Sequence, residues 1–245
     1  MFPATLLNAI AGRLGSLHTT GSINYIPTTS SLHPSLPSLG YVRQEDFLLP
    51  HLSTRETLRF AAELRLPKSV SRPSLLALVE KTITELGLME SADTLVGLFS
   101  GGQRRRVSIG CSLVGNYSIL LLDEPTTGLD SFSACRLLET LSDLAKDGNR
   151  TIIISIHQPR SDAFALVRSL FFERCASSID RVYFAQFDKV TLLSAGSVVY
   201  SGPTPSLLPH FDRLGYVLGA HTNPLDFVVD VSSLLFSRNR RYSCG

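Results

Sequence analysis

An α/β fold with a mostly parallel central sheet and a helical subdomain beside it is predicted by three features of the sequence. Two apolar runs, Ile119–Leu122 and Thr151–Ile156, are too short for buried helices and read as central strands. Between them, Ser131–Lys146 carries Ala134, Leu138, Leu141 and Ala145 at helical spacing, so the three segments form a βαβ unit with parallel strands covered on both faces. Upstream, the stretch from Gly40 to Leu86 is mostly helical in pattern and looks like a subdomain inserted beside a sheet.

In chain order, Met1 to about Leu39 opens with a helical pattern over Thr5–Arg13. It then dissolves into a Ser/Pro stretch around Pro27, Pro34 and Pro37 that reads as turns and short edge strands. The next block begins with Gly40-Tyr41-Val42-Arg43-Gln44. Ser53-Thr54-Arg55-Glu56 has the spacing of a capping box and starts a helix through Leu64, and a second helix is predicted over Pro73–Leu86. No internal repeat of about 20–50 residues occurs.

Composition excludes several classes. At 245 residues, 44% apolar and 18% charged, the chain has an ordinary globular balance. A net charge of +2, from 23 basic and 21 acidic residues, gives no overall signal for a nucleic-acid partner. Cys111, Cys135, Cys175 and Cys244 are irregularly spaced, without CxxC or histidines at metal-ligand spacing, which argues against a disulfide framework or zinc site and suits a reducing, cytosolic face. No leader pattern opens the sequence, and no continuous apolar run reaches the roughly 18–20 residues that span a bilayer.

Open α/β sheets bind ligands at the carboxyl ends of their strands, so the residues after each strand are the informative ones. Asp123-Glu124 follow the first run: paired carboxylates at a sheet mouth suit Mg²⁺ and a polarised water, or simply cap a strand with surface acids. His157-Gln158 follow the second, and His157 alone is more often a satisfied strand-end histidine than a catalytic one. Phe99-Ser100-Gly101-Gly102-Gln103 leads into Arg104-Arg105-Arg106 with Val107, Cys111 and Val114 at helical spacing, so the glycines start a helix. That arrangement makes a seat for a phosphate, or only a Gly-Gly turn before an amphipathic helix, with the three arginines a solvated face. Gln44 in isolation carries no meaning.

The order of these elements is what discriminates. Gln44, Ser100-Gly101-Gly102-Gln103, Asp123-Glu124, Gly128-Leu129-Asp130 and His157 resemble the Q-loop, signature, Walker B, D-loop and H-loop of the ATP-binding cassette family. Residues 41–67 (YVRQEDFLLPHLSTRETLRFAAELRLP), 106–110 (RVSIG), 157–162 (HQPRSD) and 223–227 (NPLDF) look like the White/ABCG subfamily, and the resemblance covers almost the whole chain. It implies a P-loop NTPase-like cassette over residues 1–245, with a helical subdomain at about 45–117. It also implies ATP and Mg²⁺ as cofactors and a second cassette as partner, two ATP molecules being clamped head to tail in a homo- or heterodimer. By that resemblance Ser100, Gly101 and Gly102, with Gln103, grip the γ-phosphate bound by the partner, and Asp130 crosses the dimer interface. Asp123 holds Mg²⁺ through water, Glu124 activates the attacking water and His157 contacts the γ-phosphate. Gln44 senses nucleotide and metal and couples them to a transmembrane domain, at the cytosolic face of a membrane. The implied function is that of an ATPase powering export of lipids, sterols or hydrophobic compounds.

Three departures from the family pattern set further expectations. Aligning Thr5–Arg13 with the helix that follows the phosphate-binding loop puts Pro3 at the invariant lysine and Ala4 at the Mg²⁺-binding hydroxyl, and GxxxxGK[ST] is absent, as are the strand upstream of it and the membrane helices expected after NPLDF. The link from Val96-Gly97 to Ser100 is short. Residues 167–186 interrupt a pattern that joining Ala165-Leu166 to Phe187-Asp188-Lys189 would restore, leading into a hairpin at Ser194-Ala195-Gly196; the segment reads as an atypical insertion or a gene-model artefact. On the literal 245 residues, an incomplete cassette contributing only its signature surface is one alternative. A soluble ABC ATPase not engaged in transport is another, disfavoured by HQPRSD and NPLDF.

Overall fold

The computed structural model describes residues 3–15, 20–25, 38–147, 150–156, 187–194, 196–219, 227–228 and 230–232. The chain divides into two compact units, one of residues 7–156 and one of residues 1–6 with 157–245, each described here by itself.

The first unit is built on a three-stranded parallel sheet in the order β1-β2-β3: β1 (Leu39–Val42), β2 (Ile119–Asp123) and β3 (Thr151–Ser155). Leu120, Leu121 and Leu122 of the middle strand are all buried, as expected of a strand covered on both faces. Pairing aligns Val42 with Leu122 and Asp123 with Ser155, so the three strands end side by side at their carboxyl ends. The predicted crossover helix is α5 (Ser131–Asp147), which buries Ala134, Leu137, Leu138, Leu141 and Leu144.

Between β1 and β2 lie α2 (Thr54–Arg65), α3 (Arg72–Glu85) and α4 (Gly101–Leu113). Leu58, Ala62, Val79, Ile83, Leu86 and Ile109 have no measurable exposure and form their shared core. At Gly110 the helices approach closely: a Cβ there would lie 2.7 Å from Leu86 Cδ1 and 2.8 Å from Leu58 Cδ2. The capping box of α2 is present: Ser53 Oγ accepts from Glu56 N–H at 3.3 Å, and Ser53 N–H donates to Glu56 Oε2 at 2.9 Å. Arg55 then ties α2 to Glu80 of α3 at 2.7 Å and to Asp93. Replacing Ser53 with Ala should lower unfolding free energy by about 1 kcal/mol, read as a shift in urea midpoint with an unchanged slope.

Two elements differ from expectation. The first helix, α1 (Pro3–Ile10), ends before Arg13, because Gly12 takes the left-handed conformation (φ 66°) and closes the helix with its N–H on the Ala9 carbonyl. Arg13 is thereby released, and its guanidinium lies 4.7 Å from the centre of the Tyr41 ring. Gly40-Tyr41-Val42, which opens the predicted helical block, belongs instead to the edge strand β1.

In the second unit β4 (Lys189–Ser194) and β5 (Ser197–Pro203) form an antiparallel hairpin, with Ser194 opposite Ser197 and Gly196 at φ 88° in the turn. Tyr200 packs with Leu207 and Phe211 of α6 (Leu207–Arg213) and with Val228 and Val231, while Phe227 covers the cluster. Residues 157–186 and 223–226 lie outside the described residues, so the expectations for His157, HQPRSD, the insertion and most of NPLDF lie there too. Among the described residues no helix is long and apolar enough to cross a membrane.

Candidate functional site

Parallel pairing carries the chain out of β1 and β2 at the same sheet edge, and this brings Gln44, Asp123 and Glu124 together. Gln44 Nε2 donates to Glu124 Oε2 at 2.9 Å, and Thr127 Oγ1 donates to the same oxygen at 3.0 Å. Asp123 is held from two strands. Ser155 Oγ donates to its Oδ1 at 2.6 Å and Tyr41 Oη to its Oδ2 at 3.2 Å. Ser155 Oγ also accepts from Glu124 N–H at 3.0 Å, so one hydroxyl fixes both carboxylate-bearing residues. Burial, and next the charge of Asp123, raise the Tyr41 phenol above its ordinary pKa and keep it a donor.

Glu124 occupies the left-handed region at φ 44°, where a side chain of this size is uncommon. The cost is of order 1 kcal/mol, and the surrounding hydrogen bonds hold the residue there.

An open cleft of about 460 Å³ adjoins the pair, lined by Asp123, Gln44, Tyr41, Asn8, Arg13 and Arg43 among others. Its lining sets the guanidinium groups of Arg13 and Arg43 beside the carboxylates of Asp123 and Glu45, which suits a ligand that is itself an anion carrying a cation. The donors fit Mg²⁺: each Asp123 oxygen uses one lone pair on a hydroxyl and keeps another. Among the described residues no three His, Cys, Asp or Glu side chains gather around one point. A hard divalent ion that takes one or two carboxylates and completes its shell with phosphate and water matches such a sparse set.

Ser100 is the N-cap of α4, with its Oγ accepting from Gln103 N–H at 3.3 Å and its N–H donating to Gln103 Oε1 at 3.0 Å. Gln103 is thus a capping partner, and Gly101 and Gly102 form the first turn, where backbone N–H groups lack helical acceptors. The Gly128–Asp130 segment packs on this turn. A Cβ on Gly101 would meet Leu129 at 3.6 Å, and one on Gly102 would come within 2.9 Å of Ser133 Cβ. Asp130 caps α5, its Oδ1 accepting from Ser133 N–H at 3.0 Å, and that bond holds its carboxyl below the usual pKa. The structure therefore gathers the predicted residues into two groups, Gln44 with Asp123 and Glu124, and Ser100 to Gln103 with Asp130. His157 lies outside the described residues.

The alternative of a wholly solvated arginine face is corrected. Arg104 is exposed and Arg106 partly buried, but Arg105 is only 3% exposed. It donates to the carbonyls of Arg43, Gln44, Asp123 and Pro125 and to Asp46. Arg105 and Ser155 are the residues that reading the sequence missed. The available signal was that Arg105 shares a helix face with Gly102 and Ile109, three residues before and four after it.

Comparison with known proteins agrees with this fold. The family described as ABC transporter matches residues 4–127. ATP-binding cassette sub-family G member 8 of Rattus norvegicus is 44% identical over 239 residues, covering 94% of this chain and 31% of that protein. ABC transporter G family member 21 of Arabidopsis thaliana is 40% identical over 245 residues, covering 97% of this chain and 33% of its own length. The chain thus spans about a third of the length of these relatives. Among solved structures, a metal-chelate type ABC transporter in an inward-facing conformation matches with a TM-score of 0.59 at 22% identity, covering 84% of this chain and 68% of the other, a likeness of fold. Residues 4–127 and the G-subfamily relatives together place this chain in the ABC transporter family, as an ABCG-type nucleotide-binding domain and an ABC-type ATPase by family.

Proposed function

We propose that this chain is the ATP-hydrolysing cassette of an ABCG-type half-transporter that powers export of lipid, sterol or other hydrophobic cargo. The observation that carries the reading is the convergence of Gln44, Asp123 and Glu124 at the carboxyl ends of β1 and β2 beside a cleft lined by Arg13 and Arg43 with Asp123 and Glu45. In this reading Asp123 is the Mg²⁺ ligand, through water. Glu124 is the general base, presented by Gln44 and Thr127, and His157 contacts the γ-phosphate. Bound Mg-ATP supplies the phosphoryl group and the charge neutralisation that phosphoryl transfer needs. Ser100, Gly101, Gly102 and Gln103 present the first turn of α4 to the nucleotide of a second cassette, with Asp130 at that interface. Helices within about 45–117 form the subdomain that meets a transmembrane domain at the cytosolic face, and 167–186 is an insertion or a gene-model artefact.

Within these 245 residues Pro3 and Ala4 stand where the family carries lysine and a hydroxyl, and neither side chain offers a charge to a phosphate or a ligand to a metal. The chain by itself is therefore expected to turn over no appreciable ATP. Joined to a phosphate-binding loop ahead of Thr5, it should form a dimer by gel filtration in Mg-ATP when Glu124→Gln blocks hydrolysis. Ser100→Arg, which fills the phosphate seat, should keep it monomeric. A Glu124→Gln protein that stays monomeric at high ATP would contradict the shared-site reading.

A further inference from the structure

The two groups of site residues serve different nucleotides in the proposed dimer, so something within one chain must relate them. Arg105 is placed to do so. It lies on α4 just beyond the Ser100–Gln103 capping turn, and its guanidinium leaves that helix for two other segments, residues 43–46 and 123–125. The two N–H groups of Nη1 serve Arg43 O at 2.6 Å, Gln44 O at 3.0 Å and Asp46 Oδ1 at 2.7 Å, one of them shared between two acceptors. Nη2 donates to Asp123 O at 3.0 Å and Nε to Pro125 O at 3.2 Å. Four of the five acceptors are main-chain carbonyls, so the contacts fix backbone, and with it the directions in which Gln44, Asp123 and Glu124 leave the sheet edge. Glu124 is bracketed by the two carbonyls of Asp123 and Pro125 that Arg105 holds.

A planar fork with five donors fits this set, and a lysine ammonium does not. Burial makes the link stiff: Arg105, 3% exposed as a residue, cannot exchange these acceptors for water without opening the core. On the other side, α4 leans on α5 through Gly102 and Ser133, so a displacement at the phosphate-facing turn is not absorbed there.

We propose that Arg105 is a positioning residue that locks the signature helix to the Gln44 loop and to the Asp123–Glu124 strand end, so that movement of the signature turn is passed to the catalytic carboxylates of the same chain. The proposal rests on the ATPase reading for its purpose, but the link itself needs no nucleotide and is tested without one.

The test is the ¹⁵N–¹H spectrum of the 245-residue chain, following the side-chain amide of Gln44 that donates to Glu124. Gly102→Ala pushes α4 away from α5, because the added Cβ would come within 2.9 Å of Ser133 Cβ. With Arg105 in place this change should shift the Gln44 signal. In an Arg105→Met background the shift caused by Gly102→Ala should be lost, and Arg105→Lys, with charge but no fork, should not restore it. Should Arg105→Met fail to fold, Asp46→Asn provides the second background. It removes the charged acceptor from the Gln44 loop and should reduce the shift. A purely structural arginine would lower melting temperature and leave the response of Gln44 to Gly102→Ala unaltered. Equal shifts in all backgrounds, or none with Arg105 present, would overturn the proposal. A protein that passes this test but, once joined to a phosphate-binding loop ahead of Thr5, never binds Mg-ATP would overturn the ATPase reading alone.

Discussion

Downstream of a phosphate-binding loop, Glu124→Gln should lower ATP turnover by about 10²–10⁴-fold, the range contributed by a positioned general base. Nucleotide affinity should be nearly unchanged, because Asp123, the metal ligand in this reading, keeps both its hydroxyl partners. The glutamine keeps the length of the side chain, and its carbonyl oxygen can still accept from Gln44 Nε2 and Thr127 Oγ1, which lie at 2.9 and 3.0 Å from Glu124 Oε2. Loss of rate should thus appear without loss of fold. Single-turnover hydrolysis, with thermal melting as the control, separates the two. A fall of less than about tenfold would mean that the proton is taken elsewhere, since even a weak general base contributes more than this.

The largest effect on stability is expected from Leu58→Ala, at about 2–5 kcal/mol, the range for truncating a fully buried leucine. Leu58 stands where α2 meets α3 and α4, with Leu86 beside it and Gly110 opposite. Gly110→Ala should itself destabilise by about 1–3 kcal/mol, because its Cβ would lie 2.8 Å from Leu58 Cδ2 and 2.7 Å from Leu86 Cδ1. The truncation removes the first of those atoms. The double variant should therefore be more stable than the sum of the single losses predicts, with a coupling of about 0.5–3 kcal/mol in urea unfolding. Strict additivity would show that the helices separate rather than pack when the contact is altered.

Much of the sheet was legible in advance because β2 and β3 are apolar on both faces, and a run such as Ile119–Leu122 has few other uses. β1 was not read as a strand, because it is four residues long and Gly40 weakens the strand signal of its neighbours. The end of α1 was misplaced because apolar spacing continues past the point where Gly12 turns the backbone. Gln44, Asp123 and Glu124 were recognisable only through their order along the chain, whereas their meeting point depends on register, which spacing does not encode. Arg105 was hidden by its neighbours: three consecutive arginines look solvated, and only the helical phase separates the buried one from the other two. Ser155 is a serine at a strand end until Asp123 is set opposite it.

The left-handed backbone of Glu124 has a consequence for selection. A glycine at that position would relieve the conformational cost and should make the folded domain about as stable or slightly more so, while deleting the carboxylate. Directed evolution for heat resistance alone would therefore tolerate loss of the carboxylate at this codon. Any survey of tolerated substitutions that scores abundance rather than turnover should find glycine acceptable there, and a gap between the two scores at residue 124 would mark the position as kept for chemistry against the preference of the fold.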